Sequence, residues 1–269
     1  MTTSLAGPAV HSIGGTVLHP RAYELLGVRV YPLTVSELHE LIASAVDNQG
    51  RVVITSQNLH GVYLYHRSEK MRALHERSLP RIDGMSLVMM GRLLGHRMAP
   101  EHRVTWVDWI GPLMDEAVRR GWRIFYLGSK PDVVERGARV LKHRHAGLQL
   151  AVRHGYFDTT PGSAENADVL DSIARFQPHI LMVGMGMPRQ ESWIYDNLDY
   201  LDVNAILTCG AAMDYVAGVI RTPPRWMGRV GLEWLYRLLS EPRRLGVRYL
   251  VEPWFLAPLL IRDLMRRKS

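Results

Sequence analysis

WRIFYLGSKPDVVERGARVLKHR, residues 122–144, decides the fold. An apolar run closes on Gly128, the turn SKPD follows, and a helical stretch takes over at Val133. The same grammar recurs along the chain. RVVITSQN (51–58) leads to a helix near 58–78, and LPRIDG (79–84) leads to SLVMMGRLLG. LQLAVRHGY (148–156) precedes AENADVLDSIARF, HILMVG (179–184) passes through MGMP into RQESWIYDNL, and NAILTCG (204–210) comes last. GVRVYPL (27–33), before a helix opened by Thr34 and Ser36, reads as one more unit of the series. Short strands separated by helices imply βαβ units and an α/β fold, a Rossmann-like parallel sheet flanked by helices. The pattern ends near Gly218 and the TPP of 222–224. It predicts a flexible tail over 1–24, a Rossmann-like domain over 25–220, and a basic, aromatic, helical appendage over 221–269.

Charge is distributed to match. The appendage carries eleven Lys and Arg against four Asp and Glu, and the whole chain has a net charge of +7, so residues 1–220 are neutral. Trp226, Trp234 and Trp254 lie in the same stretch. Arginine mixed with Trp, Tyr and Leu suits a surface bearing both phosphate and acyl chains, and favours lipid over nucleic acid. Val230, Trp234 and Leu238 fall on one stripe of a helix that either docks on the core or meets a membrane. The longest apolar run, PWFLAPLLI (253–261), is about half of a membrane span. No basic n-region followed by an apolar h-region opens the chain. The expectation is a cytoplasmic protein, peripheral on the inner face of the membrane. The single cysteine, Cys209, excludes an internal disulfide. The sequence leaves the oligomeric state open, a homo-oligomer included.

Ligands of an open parallel sheet bind beyond the carboxyl ends of its strands. That selects Thr55, Gln57 and Asn58; Asp83; Ser129 and Lys130; His154; Arg189, Gln190 and Glu191; and Asp214. Asp83 follows a strand, and Gly84 lets the chain turn and leaves the carboxylate open, either to accept a proton from a hydroxyl or to cap the next helix. GMGMPRQE (184–191) sets Gly184 and Gly186 before a helix start, a weak phosphate signal beside its plain reading as a tight turn. Arg189 stands where a dinucleotide fingerprint needs its third glycine, and no acidic residue follows at the spacing an NAD ribose requires. GSKPD, opened by Gly128, is a similar turn with Lys130 in reach of a diphosphate. The chain has no DxD pair, HExxH or facial triad, so no metal and no cofactor are expected. A departing diphosphate would then depend on helix dipoles and arginines, and Arg221, Arg225 and Arg229 are spaced i, i+4, i+8. An oxidoreductase or methyltransferase on the same sheet, or a non-enzymatic peripheral membrane protein, are the alternatives.

Taken together, TSQN (55–58), IDG (82–84), GMGMPRQE (184–191), DYVAG (214–218), RTPPRW (221–226) and GLEWLYRL (231–238) resemble the WecG/TagA/CpsF family of glycosyltransferases. The resemblance implies a metal-independent, inverting enzyme. Such an enzyme moves a hexose or N-acetylmannosamine from a UDP-sugar to an undecaprenyl-diphosphate-linked sugar in cell-surface polysaccharide synthesis. It implies Asp83 as general base, Thr55 and Gln190 as active-site polar groups, and arginines of the appendage, Arg221, Arg229 and Arg237 among them, closing over the diphosphate. Gln57 stands where the family has Asn, and Asn58 follows it, so either amide is a candidate for substrate contact.

Overall fold

The structure, a computed structural model, describes residues 20–229 and 231–268. Residues 1–19 of the expected tail and Val230 of the expected stripe lie outside the described residues, as do the side chains of Arg225 and Arg229. The described elements run β1 (Tyr23–Leu25), β2 (Val28–Val30), α1 (Val35–Asp47), β3 (Val52–Gln57), α2 (Leu59–Tyr65), α3 (Glu69–Glu76), β4 (Leu79–Ile82) and α4 (Met85–Leu93). Then follow α5 (Trp106–Arg120), β5 (Arg123–Gly128), α6 (Pro131–Arg144), β6 (Gln149–Arg153), α7 (Ala164–Phe176), β7 (Ile180–Gly184), α8 (Arg189–Asn197) and β8 (Ala205–Thr208). The chain closes with α9 (Ala212–Val216), α10 (Arg225–Arg229), α11 (Glu233–Ser240), α12 (Pro242–Leu250) and α13 (Glu252–Lys268).

β3 to β8 form one six-stranded sheet, ordered β4-β3-β8-β7-β5-β6, with every neighbouring pair parallel. Both faces are covered, which is why the strands read as continuous apolar runs instead of alternating ones. Ile54, Ile124, Tyr126, Ile180, Met182 and Leu207 pack with α1, α5, α6 and α9. Val53, Phe125, Leu127, Leu181, Val183 and Ile206 pack with α3, α7 and α8. β7 continues to β8 on one side and β5 to β6 on the other, so the strand order reverses between β5 and β7. There Gly128 and Gly184 are register partners. A Cβ on Gly128 would strike the Gly184 backbone, and one on Gly184 would strike the Tyr126 hydroxyl and the Gly210 carbonyl.

Local chemistry sets the helix ends. Thr34 caps α1, its hydroxyl accepting from Glu37 N at 3.3 Å while the Glu37 carboxylate accepts from Thr34 N at 2.8 Å. The helix expected over 58–78 is two helices, because the Ser68 hydroxyl accepts from Met71 N and starts α3 afresh.

Two expectations need correction. The 27–33 run is not a member of the parallel sheet: β2 pairs antiparallel with β1, and among the described residues only Tyr31 pairs with the main sheet, through one parallel bridge to Arg81. A hairpin forms because Leu26 and Gly27 both take positive φ, 55° and 72°, which closes a two-residue turn. β1 also begins at Tyr23, inside the expected tail. Second, the arginine spacing at 221, 225 and 229 is not one helical stripe, since α10 starts at Arg225 and residues 221–224 are non-helical. Pro223 and Pro224 deny Arg221 a place on that helix.

The appendage is seated on the body. Leu256 of α13 is buried against Leu25, Leu26, Val28, Val30 and Val62, with Leu259, Leu260 and Leu264 beside it. Leu26 N donates to Asp263 at 2.7 Å, and His66 Nε2 bonds Leu26 O at 2.8 Å, so the hairpin turn is clasped from both sides. No helix among the described residues is long and apolar enough to cross a membrane.

Candidate active site

Asp83 sits just past the carboxyl end of β4, an outermost strand of the sheet. β4 delivers it: Asp83 N donates to Gln57 O at 2.8 Å, one rung past the end of the β3–β4 ladder. Its side chain is one-quarter exposed. It does not cap α4, whose N-cap is Gly84 with no side-chain bond. Among the described residues the carboxylate instead meets side chains. Asn58 Nδ2 lies 3.5 Å from Oδ2, and Arg81 Nη1 lies 3.5 Å from Oδ1. Of the two roles open to Asp83, the reactive one therefore keeps its geometry.

Arg81 was not legible as a site residue. It sits two positions before Asp83 on the same face of the strand, with 0% of its side chain exposed. Nη2 donates to Ser56 Oγ at 2.8 Å and Nη1 to Val104 O, while the guanidinium lies over the Trp106 and Trp109 rings at 5.3 and 5.2 Å. Burial lowers the Arg81 pKa, and the Asp83 charge opposes that shift.

Cationic cover comes from the last helices. Arg237 of α11 and Arg248 of α12 lie within electrostatic reach of Asp83, as does Tyr215 of α9. Arg248 Nη2 donates to Asn58 Oδ1 at 3.3 Å, and the same oxygen accepts from Gly61 N at 3.1 Å as the cap of α2. The Nε atoms of both arginines are buried without a hydrogen-bond partner among the described residues. Buried unpaired donors of cationic side chains near the strand ends are open valences for an anion. Burial lowers the Arg248 pKa, whereas for Arg237 burial is outweighed by Tyr215, Tyr249, Asp83 and Glu233, which raise it. Glu252 fixes the following corner, its carboxylate 2.7 Å from His60 Nδ1. Burial, then the Arg248 charge, lower the His60 pKa against that contact. Arg103 holds α11 from the other side, with Nη1 2.8 Å from Glu233 Oε2. Arg221 is exposed.

A second polar group occupies the opposite face of the same edge. Gln190 is buried, and its Oε1 accepts from Gly186 N at 3.2 Å and Gly210 N at 3.1 Å. It staples the loops after β7 and β8. Its Nε2 donates to Glu191 Oε1 at 2.7 Å. Burial raises the Glu191 pKa to about 7. Glu191 Oε2 and Gln57 Nε2 are buried and unpaired among the described residues. Thr55, expected beside Asp83, points to this face too and bonds Ser78 Oγ at 3.1 Å. Strand alternation separates Thr55 and Gln57 from Asp83.

The phosphate-loop expectations divide. The Gly186 amide is already used by Gln190, and Gly128 and Gly184 face backbone, so these three serve loop packing. Gly186 and Gly210 both take positive φ with open space where a Cβ would stand, which leaves ligand room above the reversal point. Ser129 Oγ donates to Asp214 Oδ2 at 2.7 Å across that gap. Lys130 is exposed at the start of α6. Arg189 turns away, donating to Phe157 O at 2.7 Å. His154 Nδ1 accepts from Tyr156 N at 3.3 Å. No group of three or more His, Cys, Asp or Glu is arranged to hold a metal ion among the described residues.

A parallel sheet whose carboxyl edge presents the partly exposed Asp83 carboxylate close to two cationic side chains suits a group-transfer enzyme for anionic substrates. The chain belongs to the WecG/TagA/CpsF glycosyltransferase family: residues 23–269 match the family model described as "Glycosyl transferase WecG/TagA/CpsF family". Among curated relatives, the N-acetylglucosaminyldiphosphoundecaprenol N-acetyl-beta-D-mannosaminyltransferase of Staphylococcus aureus strain MW2 is 27% identical over 230 residues, covering 83% of this chain and 86% of its own. The same enzyme of strain NCTC 8325 / PS 47 is also 27% identical over the same shares, and that of strain MRSA252 is 26% identical. The protein is a glycosyltransferase, and the oxidoreductase, methyltransferase and non-enzymatic alternatives fall away.

Proposed function

We propose that this enzyme transfers a sugar from a UDP-sugar to an undecaprenyl-diphosphate-linked sugar, with inversion and without a metal ion, at the inner face of the membrane. One observation carries the reading: the partly open Asp83 carboxylate lies in the field of Arg237 and Arg248, whose Nε donors are unpaired among the described residues. The names of the relatives support the acceptor class and make N-acetylmannosamine the first donor sugar to test.

Asp83 accepts the proton of the acceptor hydroxyl. The freed oxygen attacks the anomeric carbon as the bond to the UDP oxygen breaks on the opposite face. That bond's electron pair leaves on the diphosphate. Arg237 and Arg248 neutralise the growing negative charge, the service a divalent ion gives elsewhere. The Ser129–Asp214 pair and the space above Gly186 and Gly210 receive the nucleotide. The amphipathic surface of α11 to α13 lies on the membrane that holds the acceptor.

The test is Asp83→Asn. General-base catalysis contributes roughly 10²–10⁴-fold, so turnover with UDP-N-acetylmannosamine and a synthetic polyprenyl-diphosphate-GlcNAc acceptor should fall by about that factor. UDP binding, followed by calorimetry, should persist. A panel of other UDP-sugars identifies the donor if this one is not turned over. Wild-type rates in Asp83→Asn would remove Asp83 from the chemistry.

A further inference from the structure

The largest charged group of the core is spent directly under the carboxylate. We propose that Arg81 is a positioning residue for Asp83, a clamp that fixes the carboxylate's direction through a rigid tryptophan bed; this rests on the reading of Asp83 as base.

A buried guanidinium is a poor stabiliser, because the cost of desolvating it exceeds what ordinary contacts return. Arg81 is also incompletely satisfied, since its Nε is buried with no partner among the described residues. Function explains the arrangement better than packing does. Trp106 Nε1 donates to Thr208 O at 2.9 Å and Trp109 Nε1 to His39 Nε2 at 3.0 Å, so neither ring can turn. The two rings stack at 4.6 Å with 24° between their planes. The guanidinium lies on that surface by cation–π attraction and is pinned by Ser56 Oγ at Nη2 and by Val104 O at Nη1. Nη1 alone then faces Asp83 Oδ1. With Asn58 on Oδ2, the carboxylate is held at both oxygens, each at 3.5 Å, long enough to leave it free to take a proton.

The clamp reaches further. Val104 follows Arg103, which bridges to Glu233 on α11. One loop therefore connects the clamp under the base to the helix that carries Arg237. A lysine cannot reproduce the fork, since it is a point charge with no planar set of donors.

The experiment is a double-mutant cycle on the full chain, using the donor that the wild-type enzyme turns over and the polyprenyl-diphosphate-GlcNAc acceptor. The variants are Arg81→Met, Arg81→Lys, Asp83→Asn and the two doubles, with UDP binding measured for each. The expected result is a fall in kcat of about tenfold or more for Arg81→Met, a smaller fall for Arg81→Lys, and KM and UDP affinity within about twofold of wild type. In the Asp83→Asn background, the residual rate followed with radiolabelled donor should not respond to either change. Equal losses in both backgrounds, unchanged kcat, or loss of UDP binding in both Arg81 variants assigns the residue to the core and overturns the proposal. Full activity in Asp83→Asn alone would instead sink the assignment of the base and leave Arg81 a core residue.

Discussion

At the residue scale, two acidic groups on one sheet edge meet opposite environments. Asp83 is partly open and faces cations, whereas Glu191 is buried with one oxygen unpaired among the described residues. Burial raises the Glu191 pKa from 4.5 to about 7. The folded state therefore binds its proton more tightly than the unfolded chain does. That contribution to stability is complete below about pH 4.5 and is lost as pH rises through 7. It amounts to about 3 kcal/mol at most, from roughly 1.4 kcal/mol per unit. Glu191→Gln keeps the acceptor for Gln190 and removes the titration. Urea unfolding at pH 5 and pH 8 should show the wild type losing stability across this window and the variant losing much less. An identical slope in both proteins would refute the account.

At the element scale, the reversal point between β5 and β7 sets the tolerance of two glycines. Gly184→Ala pushes a Cβ into the Tyr126 hydroxyl and the Gly210 carbonyl, an overpacking of the kind that costs about 1–3 kcal/mol. It should also displace the loop carrying Gly210 and weaken UDP binding. Gly111, inside α5, has open space where a Cβ would stand. Gly111→Ala should stabilise by about 0.5–1 kcal/mol through helix propensity. Thermal unfolding of the pair tests the opposite signs. Gly184→Ala unfolding like wild type would mean the strand ends are less tightly apposed than described.

At the scale of the whole molecule, the C-terminal helices carry both buried and exposed apolar side chains. Leu256 is buried on the hairpin, while Trp254 is 77% exposed and Leu239 75% exposed, with Trp226, Leu250 and Phe255 also open. Arg243 and Arg266 are exposed on the same helices, and exposed apolar side chains accompanied by arginine suit the anionic lipid contact proposed above. The double change Leu239→Ser with Trp254→Ser should cut flotation with anionic vesicles severalfold and leave thermal unfolding unchanged. Leu256→Ala should instead cost about 2–5 kcal/mol, because it empties part of the core. Equal flotation of the surface variant and wild type would rule out these side chains as the membrane contact.

The strands of the parallel sheet were legible because each is apolar from end to end and stops at Gly or a polar residue, a signal contained in local sequence. Asp83 was legible for the same reason: a carboxylate before glycine at a strand end is a local pattern. The hairpin at 23–30 was not, since a short apolar run carries no record of its pairing partner. Arg81 and Arg248 were missed because nothing beside them in the chain marks an arginine as buried. Among the described side chains, the arginines near Asp83 are Arg81, Arg237 and Arg248, on three separate elements, while Arg221 is exposed. Composition placed positive charge at the C-terminus; only the docking of α13 on the hairpin, and the Asn58 and Glu252 contacts that follow, bring two of those charges over the carboxylate. Periodicity is written in neighbours along the chain, whereas the site is made by residues far apart in sequence, and packing alone decides which of them meet.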